Sequence, residues 1–566
     1  MYKELRDTVQ ELTSEGQLFA LTDVEVNGQT LPAWAIAPPT LRDLWLMSAA
    51  HGDADYLVYQ DERWTYARAH EQVASIANYL VTNGIGKDDK VAIAMRNYPE
   101  WLLSFWAIVC IGAVPVGVNA WWVAEELEYG LNDSDTKLLI CDRERLQRFE
   151  SIKSSFPELA VVTVRVDDVP NWATPWSAVL ETESVLPDAN IEPDDDVAIF
   201  YTSGTTGHPK GARLTHRGCA NNVVTQTFAS FALKMAQAKY QNTALPTMAR
   251  EGLPQTATIA VTPLFHVTAN GMAQTLTAGG GKIVHTYKWD AGEALSLIEA
   301  EKITNFSGVP IMTREIFDHP NFANTDTSSV DSFGGGGAPV QADLIEKVGA
   351  LGGSAMMAQG YGMTETSTMA SAAYGIYQLD KPTSAGMVMP VFDVKCVDEQ
   401  GNDLPAGETG ELCLRGVQVF KGYLNRPDAT AETIVNGWLH TGDIGYVDED
   451  NFIYLVDRAK DMVLRGGENV YSSEVEMIVY RYDDVAECAV FAVPDDRLGE
   501  EVGVAIYAPQ NPSLDVDVLR AFCKEHLAAF KVPRYIWVVQ EPLPRNASGK
   551  FVKKELQSAL DITTAH

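Results

Sequence analysis

Apolar strand-like runs alternate with helical patterns through most of residues 1–450, and this alternation limits the fold more than any other feature. Val91-Ala92-Ile93-Ala94-Met95, Leu138-Leu139-Ile140-Cys141 and Thr258-Ile259-Ala260-Val261 read as strands. Residues 293–301 and 341–350 read as helices. Short apolar strands separated by helices imply an α/β architecture with covered, largely parallel sheets. The run 101–123 has no charged residue and is long enough to cross a bilayer. It contains Gly112, Pro115, Gly117 and Asn119, however, and splits into 101–110, a turn, and 114–118. A buried helix followed by a buried strand is expected, and no transmembrane segment. The polar, Ala-, Gln- and Thr-rich region 231–257 reads as a surface excursion.

Around 391–456 the texture changes to short strands separated by Gly, Asp and Asn, the pattern of a β-rich subdomain. After Asp457-Arg458-Ala459-Lys460-Asp461 comes helix 473–482, strands 486–493 and 502–508, helix 516–526 and strand 535–539. This is a small α+β unit of about a hundred residues. The expected organisation is therefore an N-terminal domain at 1–456 and a C-terminal domain at 457–566, joined by a short hinge.

Composition narrows the class. The chain has 566 residues, 46% hydrophobic and 21% charged, as in folded globular proteins. Asp and Glu outnumber Lys and Arg by 76 to 43, a formal charge of −33. Such a surface repels nucleic acid, so a phosphate ligand needs a local positive or dipolar site. The seven cysteines are scattered without a Cys-x-x-Cys pair, which argues against a disulfide framework or a structural zinc site. That usage fits a reducing, cytoplasmic setting. Monomer and homodimer are both compatible with the composition.

Residues 201–211, Tyr-Thr-Ser-Gly-Thr-Thr-Gly-His-Pro-Lys-Gly, follow an apolar strand. Glycines admit close approach of backbone N–H groups to an anion, hydroxyls donate to phosphate oxygens, and Lys210 adds a mobile positive charge. The run reads as a phosphate cradle or, more blandly, as a loop of small residues. It is not the usual P-loop, because Gly211 follows Lys210. Four further segments carry chemistry-bearing types: Gly334–Gly337 with Ala338-Pro339, Gly360-Tyr361-Gly362-Met363-Thr364-Glu365, Trp438-Leu439-His440-Thr441-Gly442-Asp443, and Arg545-Asn546-Ala547-Ser548-Gly549-Lys550. Singly, each can be a turn, a cap or a solvated loop.

Together and in this order, the segments resemble the adenylate-forming superfamily of acyl-CoA synthetases, peptide-synthetase adenylation domains and luciferases. The resemblance runs from residue 65 to 556 and implies a large nucleotide-binding domain and a small mobile C-terminal domain that swings on a hinge near 458–460. It implies ATP, Mg²⁺ and coenzyme A as cofactors and a small-molecule carboxylic acid as partner. By the same resemblance Thr202, Ser203, Gly204, Thr205, Thr206 and Gly207 with Lys210 handle the β- and γ-phosphates. Gly336-Gly337-Ala338-Pro339 and Gly360-Tyr361-Gly362 match the adenine pocket, Tyr361 stacking on the ring. Thr364 matches a contact to the α-phosphate, and Thr202 and Glu365 the Mg²⁺ site. Asp443 matches the ribose aspartate, with Arg458 assisting. Lys550 matches the catalytic lysine between the attacking carboxylate and the α-phosphate. Lys460 matches the pivot, and Gly466, Gly467 and Glu468 the loop that meets the pantetheine arm. Ser472 stands where many relatives have proline, and serine suits a helix cap.

His266 matches a gating position beside the acyl carboxylate, and a satisfied core histidine explains it equally well. His216 and His440 read as structural. The acyl pocket is implied near 265–271, 307–311, 334–336 and 363–369, mostly small or apolar residues. No cation there would pair a second carboxylate, and no aspartate would hold an amino group. A medium- or long-chain fatty acid is the expectation, with an aryl or sterol-like acid as the alternative. An enzyme that loads a carrier protein is compatible with the same motifs.

Overall fold

The computed structural model describes residues 1–202, 208–248, 254–336, 342–350, 355–466, 468–495, 497–546 and 549–566. The chain forms two compact units: Met1–Asp393 with Leu414–Leu439, and Val394–Cys413 with His440–His566. The second unit takes in strands that precede residue 457, because the chain around 394–413 packs with the chain after 440.

In the first unit, one sheet runs in the order Gly422–Tyr423, Lys210–Thr215, Asp196–Thr202, Val114–Gly117, Lys90–Ala94, Thr136–Asp142, Ala160–Val164, Thr174–Pro175. The strands from Asp196–Thr202 to Thr174–Pro175 are parallel, and the two at the other edge pair antiparallel. A second sheet has a parallel centre: Asp55–Tyr59, Lys282–His285, Ala257–Ala260, Asn305–Gly308, Ser332–Gly335 and Met356–Tyr361. The α/β reading holds here, and strands such as Lys90–Ala94, Val114–Gly117 and Ala257–Ala260 are buried along nearly their whole length, as strands of a covered parallel sheet are.

The charge-free run resolves as expected. Pro99–Cys110 is a helix whose every residue is buried, and Val114–Gly117 is a buried strand. Gly112 makes the turn between them at φ +76°, where a side chain would be strained. Among the described residues no helix is long and apolar enough to cross a membrane. The excursion differs from expectation: His216–Gln241 is one 26-residue helix. Ala, Gln, Lys and Met are good helix formers, and Phe228, Ala232, Leu233 and Ala236 bury one side of it. Thr215 caps it by accepting from Gly218 N at 3.0 Å.

Strands Gly410–Gly416, Trp438–Val447 and Phe452–Arg458 lie side by side, the second unit taking the first two as far as Cys413 and from His440 onward. A further five-stranded sheet is centred on Glu487–Asp495 paired with Gly499–Tyr507, with Tyr535–Val539 parallel to the latter. Alternate residues of Glu487–Asp495 serve two cores. Cys488 and Val490 pack with Val475, Val479 and Leu519 from the helices Ser472–Val479 and Val516–His526. Ala489, Phe491 and Val493 pack with Trp537, Leu543 and Leu556 on the other face. The period of two along a strand makes this division.

Candidate active site

The phosphate-loop run closes an antiparallel hairpin. Asp196–Thr202 pairs with Lys210–Thr215, with Thr202 opposite Lys210. Thr202 Oγ1 donates to Lys210 O at 3.3 Å. Ser203, Gly204, Thr205, Thr206 and Gly207 lie outside the described residues. Both flanks are anchored: Tyr201 donates to Asp133 Oδ2 at 2.9 Å, and Tyr129 donates to Pro209 O at 2.9 Å while stacking on His208. Asp133 also holds Arg426 at 2.7 Å. Burial and the adjacent Asp133 charge push the Tyr201 phenol well up, so it stays a neutral donor.

Glu365 sits in a single turn of 3₁₀ helix, Thr364–Thr366, and is only 5% exposed. Its Oε1 accepts from the Tyr423 hydroxyl at 2.6 Å, and its backbone O accepts from Phe420 N at 2.9 Å. Lys210 Nζ lies 5.1 Å above the Tyr423 ring. One tyrosine thus joins the phosphate-loop lysine to the expected magnesium carboxylate. Burial and the Glu365 charge push the Tyr423 phenol strongly up, which keeps its proton on the hydrogen bond. Tyr423 carries no sequence motif, and only the pairing of Gly422–Tyr423 with Lys210–Thr215 brings it here.

The glycine segments expected around adenine lie at neighbouring strand ends. Ser332–Gly335 and Met356–Tyr361 run parallel, with Gly335 opposite Gln359. Gly336 follows directly, and a Cβ there would lie 3.0 Å from Gly360 O. Tyr361 is buried. Gly337, Ala338 and Pro339 lie outside the described residues. Gly362 begins a tight return: a Cβ on it would lie 1.6 Å from Thr368 O. Ser367 and Thr368 take φ +53° and +123°, rare for side-chain-bearing residues, at the far end of the same turn.

His266 is the N-cap of helix Val267–Ala278, its Nδ1 accepting from Thr268 N at 3.3 Å. Gly271 of that helix faces a group of polar atoms. Its Cβ position lies 2.5 Å from Thr368 Oγ1, 3.1 Å from Asn222 Nδ2 and 3.3 Å from Gln226 Nε2. Asn222 is 0% exposed and accepts at Oδ1 from Met369 N. Among the described residues the Nδ2 of Asn222 and the Nε2 of Gln226 are buried without a hydrogen-bond partner. Neither residue drew notice in the sequence, where Asn-Asn-Val-Val-Thr-Gln reads as an ordinary helix surface. His216 is fully buried, accepts from Leu41 N, and is held near pKa 4 by burial, as a structural neutral imidazole requires.

In the second unit, Asp443 and Arg458 are cross-strand partners, with Nε 3.4 Å from Oδ1. Gly442 turns at φ +69°, and Asp443 N donates to Thr441 Oγ1 at 3.1 Å. Lys460 is exposed in the turn after Arg458, which Asp461 N closes onto Arg458 O. Gly466 turns at φ +62° in the hairpin that joins Val463–Arg465 to Glu468–Val470. Gly467 lies outside the described residues, and Glu468 is exposed. Ser472 departs from the capping expectation. Tyr471 holds the N-cap position, while Ser472 is the first helical residue and gives its N–H and its hydroxyl to Asp457. The cause is the neighbouring carboxylate, a stronger acceptor than the helix end. Lys550 lies on a turn where its N donates to Asn546 Oδ1 at 3.0 Å and its O accepts from Asn546 N at 2.8 Å. Gly549 supplies φ +80° there.

Comparison with known proteins shows the family and the fold. Residues 46–424 match the model of the AMP-binding enzyme family, and 474–550 match the AMP-binding enzyme C-terminal domain. A feruloyl-CoA synthase from an Amycolatopsis species is 37% identical over 506 residues, covering 87% of this chain and 93% of that protein. A long-chain-fatty-acid–CoA ligase from Escherichia coli O6:H1 is 31% identical over 549 residues, covering 92% and 94%. The solved O-succinylbenzoate coenzyme A synthetase from Bacillus subtilis, in complex with ATP and magnesium ion, superposes with TM-score 0.76. It is 26% identical, covering 91% of this chain and 99% of that one. Fold and segment order together define an adenylate-forming enzyme. The chain belongs to the AMP-binding enzyme family, in its acyl-CoA synthetase branch. ATP and coenzyme A are substrates of that family.

Proposed function

We propose that the enzyme activates an aromatic carboxylic acid with a polar ring substituent as its acyl-AMP and passes the acyl group to coenzyme A. The observation that carries this reading is the unpartnered Asn222 Nδ2, fully buried beside Gly271, with Gln226 Nε2 and Thr368 Oγ1. Gly271 and Thr368 belong to segments expected to line the acyl pocket. Thr368 Oγ1 already donates to Val267 O at 3.3 Å, but a hydrocarbon tail would leave the Asn222 and Gln226 amide N–H groups unsatisfied, at about 1–3 kcal/mol each. A ring hydroxyl, methoxy or carbonyl oxygen would accept from them. The 37% identity to a feruloyl-CoA synthase supports the same reading. It shifts the preference from the fatty acid to the aromatic alternative.

Adenylation begins with attack of the acid's carboxylate oxygen on the α-phosphorus, with pyrophosphate leaving. The thiol of coenzyme A then attacks the acyl carbonyl, and AMP leaves. In our reading residues 202–207 and Lys210 hold the departing pyrophosphate, while Gly336–Pro339 and Gly360–Gly362 take adenine. Thr364 contacts the α-phosphate, Asp443 with Arg458 takes the ribose, and Lys550 neutralises charge that develops at phosphorus. His266, tied to its own helix as a cap, orients the entry to the acyl carboxylate. Lys460 serves the pivot, and Gly466–Glu468 meets the pantetheine arm.

The donors at Thr202 and Glu365 fit magnesium, a hard ion that takes oxygen ligands. Thr202 gives its proton to Lys210 O and so presents lone pairs, and Tyr423 steadies the Glu365 carboxylate. Bound Mg²⁺ would neutralise triphosphate charge. Tyr423→Phe keeps the ring under Lys210 and removes the hydroxyl that donates to Glu365. The KM for MgATP is expected to rise about tenfold, the cost of one hydrogen bond to a charged group. An unchanged KM in steady-state assays would remove Tyr423 from the site.

The test of the substrate reading is a pyrophosphate-release assay with coenzyme A present, run over hydroxycinnamic, benzoic, octanoic and palmitic acids. We expect kcat/KM for hydroxycinnamic acids to exceed that for either fatty acid by at least about tenfold. Preference for palmitic or octanoic acid would return the assignment to a fatty-acid ligase.

A further inference from the structure

A group of side chains apart from those assigned above joins three metal-ligating types. Glu411 and Cys413 lie two residues apart on the strand Gly410–Gly416, so their side chains share one face. His440 stands on the adjacent strand Trp438–Val447. Its Nδ1 lies 2.7 Å from Glu411 Oε2 and 3.6 Å from Cys413 Sγ. All three donor atoms fall within 4.8 Å of one another.

We propose that Glu411, Cys413 and His440 form a binding site for one thiophilic divalent cation, with Zn²⁺ the best fit. Zinc–sulfur and zinc–nitrogen bonds of about 2.3 and 2.05 Å at a tetrahedral angle place S and N about 3.5 Å apart. The sulfur and nitrogen already stand at 3.6 Å. The corresponding N–O edge is about 3.3 Å. Loss of the Glu411–His440 hydrogen bond as the cation replaces its proton lets the carboxylate withdraw by that difference. The ligand set suits this ion: thiolate and imidazole select zinc over magnesium or calcium, and the carboxylate completes three protein ligands. Cys413 is buried, but Glu411 and His440 keep 28% and 25% of their side chains exposed. Solvent can therefore reach the fourth coordination position.

The resting group has a definite proton inventory. Burial, reinforced by the Glu411 charge, pushes the Cys413 thiol up to about 12, so without a cation it is protonated. Binding removes that proton, since a coordinating thiol is deprotonated outright. One proton should leave per cation bound. The neighbouring Lys395 is paired with Asp403 at 2.6 Å, which offsets its charge near the site.

The test is a titration of the full, metal-stripped chain with Co²⁺, followed by Zn²⁺. A thiolate-to-cobalt charge-transfer absorption should saturate at one equivalent, release one proton, and vanish when Zn²⁺ displaces cobalt. Cys413→Ser should abolish the absorption, and His440→Ala should weaken binding by at least about a hundredfold, no less than losing an outer-shell partner costs. Glu411→Gln retains an oxygen acceptor for Gly442 N, which now donates to Oε1 at 3.0 Å, and should weaken binding in a chain that still folds. As a second readout, Zn²⁺ should raise the thermal midpoint of the natural chain and not that of Cys413→Ser. Absence of the absorption in the natural chain, or its persistence in Cys413→Ser, would overturn the site.

Discussion

Replacing Lys550 by alanine is expected to slow adenylate formation by roughly a hundred- to a thousandfold, the scale of removing one charged or hydrogen-bonding stabiliser of a transition state. The turn that carries Lys550 should survive. Its two hydrogen bonds to Asn546 use the Lys550 backbone N and O, which the substitution leaves in place. The φ of +80° at Gly549 is also untouched. Thioester formation from supplied acyl-AMP should persist, because no phosphate charge develops at the acyl carbonyl. Single-turnover measurement of both half-reactions separates the outcomes. Equal loss of both would mean that Lys550 supports the fold or the hinge rather than the first transition state.

Gly362→Ala should be the most damaging single methyl addition near the nucleotide segments. The new Cβ would lie 1.6 Å from Thr368 O and 2.7 Å from its carbonyl carbon. Those are backbone atoms, so no rotamer change relieves the clash. The return is further closed by Ala370 N donating to Tyr361 O at 2.8 Å and by the pairing of Tyr361 with Ser371. Strain of about 3 kcal/mol or more is expected, at the upper end of overpacking. Thr364 and Glu365 hang from the same turn, so activity should fall at least about a hundredfold through loss of positioning. Gly349→Ala is the control. It lies exposed in the helix Ala342–Ala350, with nothing within 4 Å of its Cβ position, and alanine there should stabilise by about 1 kcal/mol. Thermal unfolding and pyrophosphate release measure both variants. If Gly362→Ala behaves like Gly349→Ala, the turn is not the constraint proposed.

Much of the architecture was legible because it rests on local rules. The buried strands 90–94, 136–142 and 257–260 announce themselves as apolar β-branched runs, since a strand covered on both faces needs no polar alternation. Val516–His526 follows from its 3.6-residue apolar period, and Tyr535–Val539 from a short continuous run of aromatic and β-branched residues. The helix to Gln241 was missed because its second half buries small residues, and alanine marks a core less clearly than leucine. Ser472 was assigned the wrong helical position because the competing acceptor, Asp457, lies 15 residues away in sequence.

The site divides along the same line. Order and residue type in the glycine segments, in Thr364-Glu365 and around Asp443 and Lys550 pointed to an acid-activating enzyme through their resemblance to the adenylate-forming superfamily, since each segment alone read equally well as a turn, a cap or a loop. Tyr423, Asn222 and Gln226 had no signal, for each meets its neighbours, Glu365 for the first and Gly271 for the other two, only through sheet pairing or helix packing. The zinc question shows the limit most clearly. Cysteine spacing argued against a structural zinc site, since spacing rules detect ligands that lie near one another in the chain. Glu411, Cys413 and His440 meet only because two strands with long connections lie side by side. By itself the sequence determined the fold class, encoded in local periodicity, and, through the order of contiguous motifs that resemble a known family, the general chemistry. The tertiary structure alone decided which buried polar groups meet, because that depends on registers between segments distant in the chain.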